Sequence, residues 1–142
     1  MTLTDGGVYD NLGANPLFRE RNQVSYAIVS DAGKPFQIDD QPTESGAVVL
    51  TEAIGILMEQ VRGLQFKRLE LANQATNEFK PLWFSIDSAK GQSQDGDSDF
   101  ASSIGTNLKR LSEAEMAVLK RHGGSLLVSR LKRYAEDLLG AA

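Results

Sequence analysis

The sequence predicts an α/β protein with about three mainly parallel strands and helices covering them. Three observations carry that prediction. Short apolar runs alternate with longer segments of helical periodicity along the 142 residues. The runs are rich in β-branched and aromatic residues, as strands of a parallel sheet are. Glycine-, proline- and aspartate-rich stretches separate the two kinds of segment.

Leu3 and Thr4 read as the end of a first strand, with Asp5-Gly6-Gly7 as the turn that follows. Asn15-Pro16 is a helix start, Asn as the N-cap and Pro at the first helical position, with Leu17 to Arg21 as a short helix. Val24 to Ser30 is the next strand, buried and parallel, and it ends in the loop Asp31-Ala32-Gly33-Lys34-Pro35. Lys34 to Gly46 is acidic, contains proline and reads as irregular.

From about Ala47 to Gln74 a long helix is expected. Leu50, Ile54, Leu57, Val61, Leu64 and Leu71 recur at steps of three, four and seven, and the stripe they form is assigned to the core. Gly55 and Gly63 each weaken this helix by up to about 1 kcal/mol. Pro81 to Ile86 is a third strand, with Pro81 at its start, where a missing N–H does least harm. The Trp83-Phe84 pair within it is assigned to the core. Asp87 to Ser103 is dominated by Ser, Gly, Gln and Asp and predicts a mobile loop. Ser112 and Glu115 form a capping-box pattern that opens a helix closing near Arg121-His122, with Gly123-Gly124 beyond it. A last amphipathic helix is expected from about Ser125 to Leu139, with Leu127, Leu131, Tyr134 and Leu138 on one face. A small open sheet of this kind has an exposed edge, which is prone to association.

Composition narrows the chemistry. Charged residues make up 24% and the net charge is −4, so the chain is neither disordered in character nor basic enough for a nucleic-acid footprint. With no cysteine, thiolate metal sites and disulfides are excluded. The single histidine, His122, excludes a histidine metal cluster, and its place before Gly123 suits a polar group at a helix C-terminus. Asp95, Asp97 and Asp99 imitate the start of a calcium loop, but Phe100 and Thr106 stand where that loop needs Gly and Glu. No metal or cofactor is therefore implied. Lys109, Arg110, Lys120, Arg121, Arg130, Lys132 and Arg133 read as the wet faces of helices, with anionic lipid headgroups as the alternative contact. Asp31-Ala32-Gly33 at a strand end suggests a sugar or nucleotide binder, but no phosphate-cradling glycine pattern accompanies it. No run is long and apolar enough for a membrane helix and the N-terminus lacks signal-peptide character. The expected location is cytoplasmic, or peripheral at a membrane.

The sharpest motif is Leu3-Thr4-Asp5-Gly6-Gly7-Val8-Tyr9-Asp10-Asn11-Leu12-Gly13. A carboxylate at the C-terminal end of a strand stands where α/β folds place reactive groups, and two glycines after it let backbone approach closely. As a spacing alone, the pattern favours a plain Asp-Gly turn, which is common. The full string, however, closely resembles the DGG segment of bacterial patatin-like phospholipases. Ile28-Val29-Ser30-Asp31-Ala32-Gly33 is similar to the next strand and loop of that family, and Thr106-Asn107-Leu108-Lys109 through His122-Gly123 looks like its C-terminal pattern. The resemblance implies a partial three-layer α/β/α fold and hydrolysis of lipid acyl esters by a Ser–Asp dyad. Asp5 would be the general base, Gly6 and Gly7 would complete the turn, and a lipid or acyl ester would be the substrate. The family's serine lies in a Gly-x-Ser-x-Gly elbow, and this sequence has none. Gly91-Gln92-Ser93-Gln94-Asp95 comes nearest but has Asp at the last position and lies in a polar stretch rather than at a strand-to-helix turn. Residues 1–142 thus resemble the C-terminal part of the family's domain, without nucleophile elbow or oxyanion loop. The isolated chain is expected to be inactive, and to self-associate or pair with the part that carries the serine. A non-enzymatic binding or assembly module built on the same fold is the alternative.

Overall fold

The structure is a computed structural model and describes residues 10–19, 23–33, 45–76, 78–105 and 109–140. The described residues form a mixed α/β protein with a two-stranded parallel sheet. In chain order they give a 3₁₀ turn (Asn15–Phe18), β1 (Tyr26–Asp31), α1 (Gly46–Ala75), β2 (Lys80–Ser85), α2 (Asp97–Ser103), α3 (Glu113–Tyr134) and a final 3₁₀ turn (Glu136–Leu139). The strand expected at Leu3 and Thr4 lies outside the described residues, as do Lys34 and the residues after it up to 44.

Two compact units are present. One comprises Met1–Ala27 and Phe36–Pro81, the other Ile28–Pro35 and Leu82–Ala142. The division falls inside both strands. Parallel pairing is fixed at one end by Lys80 N–H donating to Ser25 O (2.8 Å) and at the other by Ile86 N–H donating to Asp31 O (2.8 Å). Pro81, which has no N–H, follows the first of these bonds. Burial in β1 alternates, with Ala27, Val29 and Asp31 inside and Ile28 and Ser30 outside. The sequence run looks apolar on both faces, yet only one is covered.

In the first unit the buried residues include Ala14, Ala27, Gln65 and Leu69. Helix α1 matches the expected span to within a residue at each end, but its burial does not follow the leucine stripe. Gln65 and Leu69 are its buried residues. Leu50, Ile54, Leu57, Leu64 and Leu71 are all exposed. The periodicity correctly gives the helix, but the covered face lies about a quarter turn from the stripe.

The second unit buries Val29, Leu82, Phe84, Ala101, Leu126 and Ala135, and α2 and the final 3₁₀ turn both pack on α3. Phe84 is core as expected, while Trp83 is half-buried. Part of the expected loop at 87–103 is helical. Gly96 takes φ +86 and turns the chain into α2, and the Gln92 side chain accepts from Ser98 N–H (3.1 Å). Asp97, Ser98 and Ala101 are buried there. The capping box forms as the sequence predicts: Glu115 N–H donates to Ser112 Oγ (3.2 Å) and Ser112 N–H to Glu115 Oε2 (2.6 Å). The expected stop at Gly123-Gly124 does not occur. A C-terminal glycine cap needs positive φ, and neither glycine has it. His122 and Leu126, buried on either side, hold the helix continuous through the pair. The helix instead ends at Tyr134, with Ala135 as its C-cap, so the expected second helix is the last part of α3 plus the 3₁₀ turn. Leu126 supplies its buried face, and Tyr134 and Leu138 are exposed.

Candidate functional site

Asp5, Gly6 and Gly7 lie outside the described residues. Asp10, in the same motif, is the first described residue, and its contacts hold the motif's tail. Gly13 takes φ +62 and its N–H donates to Asp10 O (3.2 Å), closing a turn that suits glycine at its last position. The Asp10 carboxylate accepts from Ala14 N–H (3.0 Å), Asn15 N–H (2.9 Å) and Gln65 Nε2 (2.6 Å). Ala14 is fully buried. Thus Asp10 caps the 3₁₀ turn, a role the sequence reading gave to Asn15. Asn15 instead accepts from Arg68 Nη1 (2.8 Å), and the Arg68 guanidinium lies over the Phe18 ring at 4.2 Å. Through Gln65 and Arg68 the motif's tail is tied to α1 within the first unit.

The second polar cluster belongs to the second unit, at the C-terminal end of the parallel strands, where open α/β sheets bind ligands. Asp31 is buried and its Oδ1 accepts from Gly33 N–H (3.0 Å), so the Asp31-Ala32-Gly33 segment forms a local side-chain turn. His122 is also buried, in the body of α3 and not at a helix end, which corrects the expected C-terminal role. Its Nε2 is 2.7 Å from Ile86 O; a carbonyl only accepts, so Nε2 carries the proton. Ile86 N–H in turn donates to Asp31 O. His122 therefore locks α3 to the strand end. Its Nδ1 is buried without a partner, as is Oε1 of Gln65 in the first unit.

Asp97 is the third buried polar group. Arg121 Nε donates to its Oδ2 (2.9 Å) and Arg121 Nη2 to its Oδ1 (2.5 Å). This two-point contact holds the Asp97 carboxyl below the usual range, against the opposing effect of burial. Asp97 is thus a partner of Arg121 and not a calcium ligand, and Arg121 is not part of a free basic face. Among the described residues no three His, Cys, Asp or Glu side chains converge on a possible metal position. No described helix is long and apolar enough to cross a membrane.

Sequence reasoning missed Gln65 and the Asp97–Arg121 pair. Gln65 could have been noticed as a polar residue four positions before Leu69 on a helix. No local signal joins Asp97 to Arg121, which are far apart in sequence. No family model matches the chain, and neither the curated proteins nor the solved structures give a match.

Proposed function

We propose that the chain supplies the carboxylate half of a patatin-like Ser–Asp acyl hydrolase acting on lipid esters. The observation that carries this reading is the string Asp5-Gly6-Gly7-Val8-Tyr9-Asp10-Asn11, whose described tail is anchored by three hydrogen bonds to the Asp10 carboxylate. A base that takes a proton straight from a serine works only when it is held in place. Anchoring of the residues after the glycines supports that requirement. In this mechanism Asp5 accepts the serine hydroxyl proton as the oxygen attacks the ester carbonyl. Asp5 passes that proton to the departing alkoxide, which leaves as the alcohol; it then takes a proton from the water that attacks the acyl-serine, and returning it to the serine oxygen frees the fatty acid. The serine must come from sequence outside these 142 residues, because no Gly-x-Ser-x-Gly occurs within them.

The test has two arms. The chain alone, given p-nitrophenyl butyrate and a fluorophosphonate, is expected to show neither turnover nor labelling. The chain expressed with an in-frame upstream segment bearing a Gly-x-Ser-x-Gly elbow is expected to label at that serine. It should lose turnover by roughly 10²–10⁴-fold on Asp5→Asn. Turnover by the chain alone, absence of such an upstream segment, or activity that survives Asp5→Asn would each overturn the reading.

The second reading, a non-enzymatic assembly module, is favoured by a different observation: the exposed leucine stripe on α1.

A further inference from the structure

Among the exposed apolar residues of α1, Leu50, Ile54, Leu57, Leu64 and Leu71 follow a seven-residue repeat, while Val48, Val49 and Ile56 lie off it. Leu50, Leu57, Leu64 and Leu71 stand exactly one heptad apart and occupy the d positions. The a positions are then Ala47, Ile54, Val61 and Arg68. β-Branched residues at a with leucine at d is the combination that favours two parallel helices. The four leucines are 62%, 60%, 65% and 51% exposed in the single chain, and Ile54 is 43% exposed. From Leu50 to Leu71 the seam is about 32 Å long at 1.5 Å per residue.

We propose that α1 is the dimer interface of this protein, a parallel two-stranded coiled coil with a second copy of the same chain. Three observations choose the identical copy as occupant. The flanking g and e positions that would face each other are Ala53 with Met58 and Lys67 with Ala72; Gln65, the e residue opposite Gln60, is turned into its own chain against Asp10. Neither pair sets like charges against each other, so the flanks of the seam carry no like-charge repulsion in self-pairing. Lys67 is already paired with Glu70 of its own chain (2.8 Å). The one charged a residue, Arg68, has its guanidinium drawn aside by Asn15 and Phe18 of its own chain, which leaves the aliphatic stem at the seam. The buried residues of the helix, Gln65 and Leu69, lie off the a and d positions except where Gln65 flanks the seam at e. Pairing therefore requires no rearrangement of the single chain's core.

The absence of native cysteine makes the test direct. The full chain is expected to sediment at twice its 15.4 kDa at tens of micromolar. Leu57→Cys, at d, should form a disulfide-linked dimer under mild oxidation, whereas Glu52→Cys, at the outward f position, should not. The double variant Leu57→Glu, Leu64→Glu should weaken the dimer by at least about 100-fold. Both leucines are exposed in the single chain, so the variant monomer should keep amide protection around Gln65 and Leu69 and in α2 and α3, losing helix at most in residues 46–64. A monomer at about 100 μM, cross-linking at Glu52→Cys as efficient as at Leu57→Cys, or a dimer that Leu57→Cys fails to link would each overturn the proposal.

Discussion

Replacing Asp10 tests whether the tail of the DGG segment is held as described. Asp10→Ala removes three acceptor contacts at once. Loss of the side-chain cap on Ala14 and Asn15 costs about 1 kcal/mol. Loss of the Gln65 contact is the larger effect. Gln65 is 3% exposed and its Oε1 already lacks a partner, so its whole amide would be left buried and unpaired. That penalty is about 1–3 kcal/mol, which gives a total of about 2–4 kcal/mol. Asp10→Asn should cost less, about 1 kcal/mol, because its oxygen can still accept from Ala14 N–H and Gln65 while its NH₂ faces the Asn15 N–H. The assay is urea unfolding with amide exchange at Ala14, Asn15 and Leu69, all in the first unit. A cycle of Asp10→Ala and Gln65→Ala should give a coupling of about 0.5–3 kcal/mol. If Asp10→Ala falls within about 0.5 kcal/mol of the native protein, or the two changes are additive, the anchoring argument is wrong.

Other consequences concern the second unit. Gly91→Ala should destabilise by about 2–4 kcal/mol in thermal or urea unfolding, since Gly91 has φ +101 and a Cβ there would lie 2.8 Å from Ser129 Oγ and 2.9 Å from Ser129 Cβ; native-like stability would contradict this. Asp97 has a lowered carboxyl pKa in the folded chain, so its contribution is present above its ordinary value of 3.8 and is lost as pH falls through the depressed folded value. The stability difference between native protein and Asp97→Asn should therefore be largest near neutrality and shrink below about pH 4; a difference unchanged at pH 3 would refute the pairing with Arg121. Ser112→Ala should cost about 1 kcal/mol and release amide protection in the first turn of α3, measured by hydrogen exchange.

Local chemistry was legible in the sequence and long-range choice was not. The capping box at Ser112 and Glu115 and the span of α1 are set by residues close in sequence, and both emerge as read. The failures share one physical origin. Gly123-Gly124 is a stop signal only if one glycine adopts positive φ, and burial of His122 and Leu126 on either side outweighs that option. Residues 87–103 look like solvent-exposed loop until Arg121, far along the chain, gives Asp97 a partner that lets its turn be buried. The leucine stripe of α1 shows the same limit: a period says that a helix has an apolar face, not which body covers it. For the candidate site, Asp10 lay in the motif that was singled out, but its role depends on Gln65, which nothing local connects to it.

The two faces of α1 bear on why so long a helix exists at all. Its first nineteen residues, Gly46 to Leu64, include none that is buried, and the N-cap residue Ser45 makes no side-chain cap bond. Acidic residues that would favour the helix N-terminus are also missing from the first turn. Gly55 and Gly63 subtract further. Local preference is a weak source of stability for such a segment, since most helical stability in proteins comes from packing one face. Among the described residues of the helix, those fully buried are Gln65 and Leu69. The heptad leucines begin where that packing is absent, so a second helix on the seam would supply what the first half lacks. Dimerisation and helix formation should then be a single linked equilibrium in residues 46–64, with amide protection there rising with protein concentration while protection around Leu69 stays constant. Protection of the first half that is independent of concentration across the monomer–dimer range would show that this helix stands without its partner.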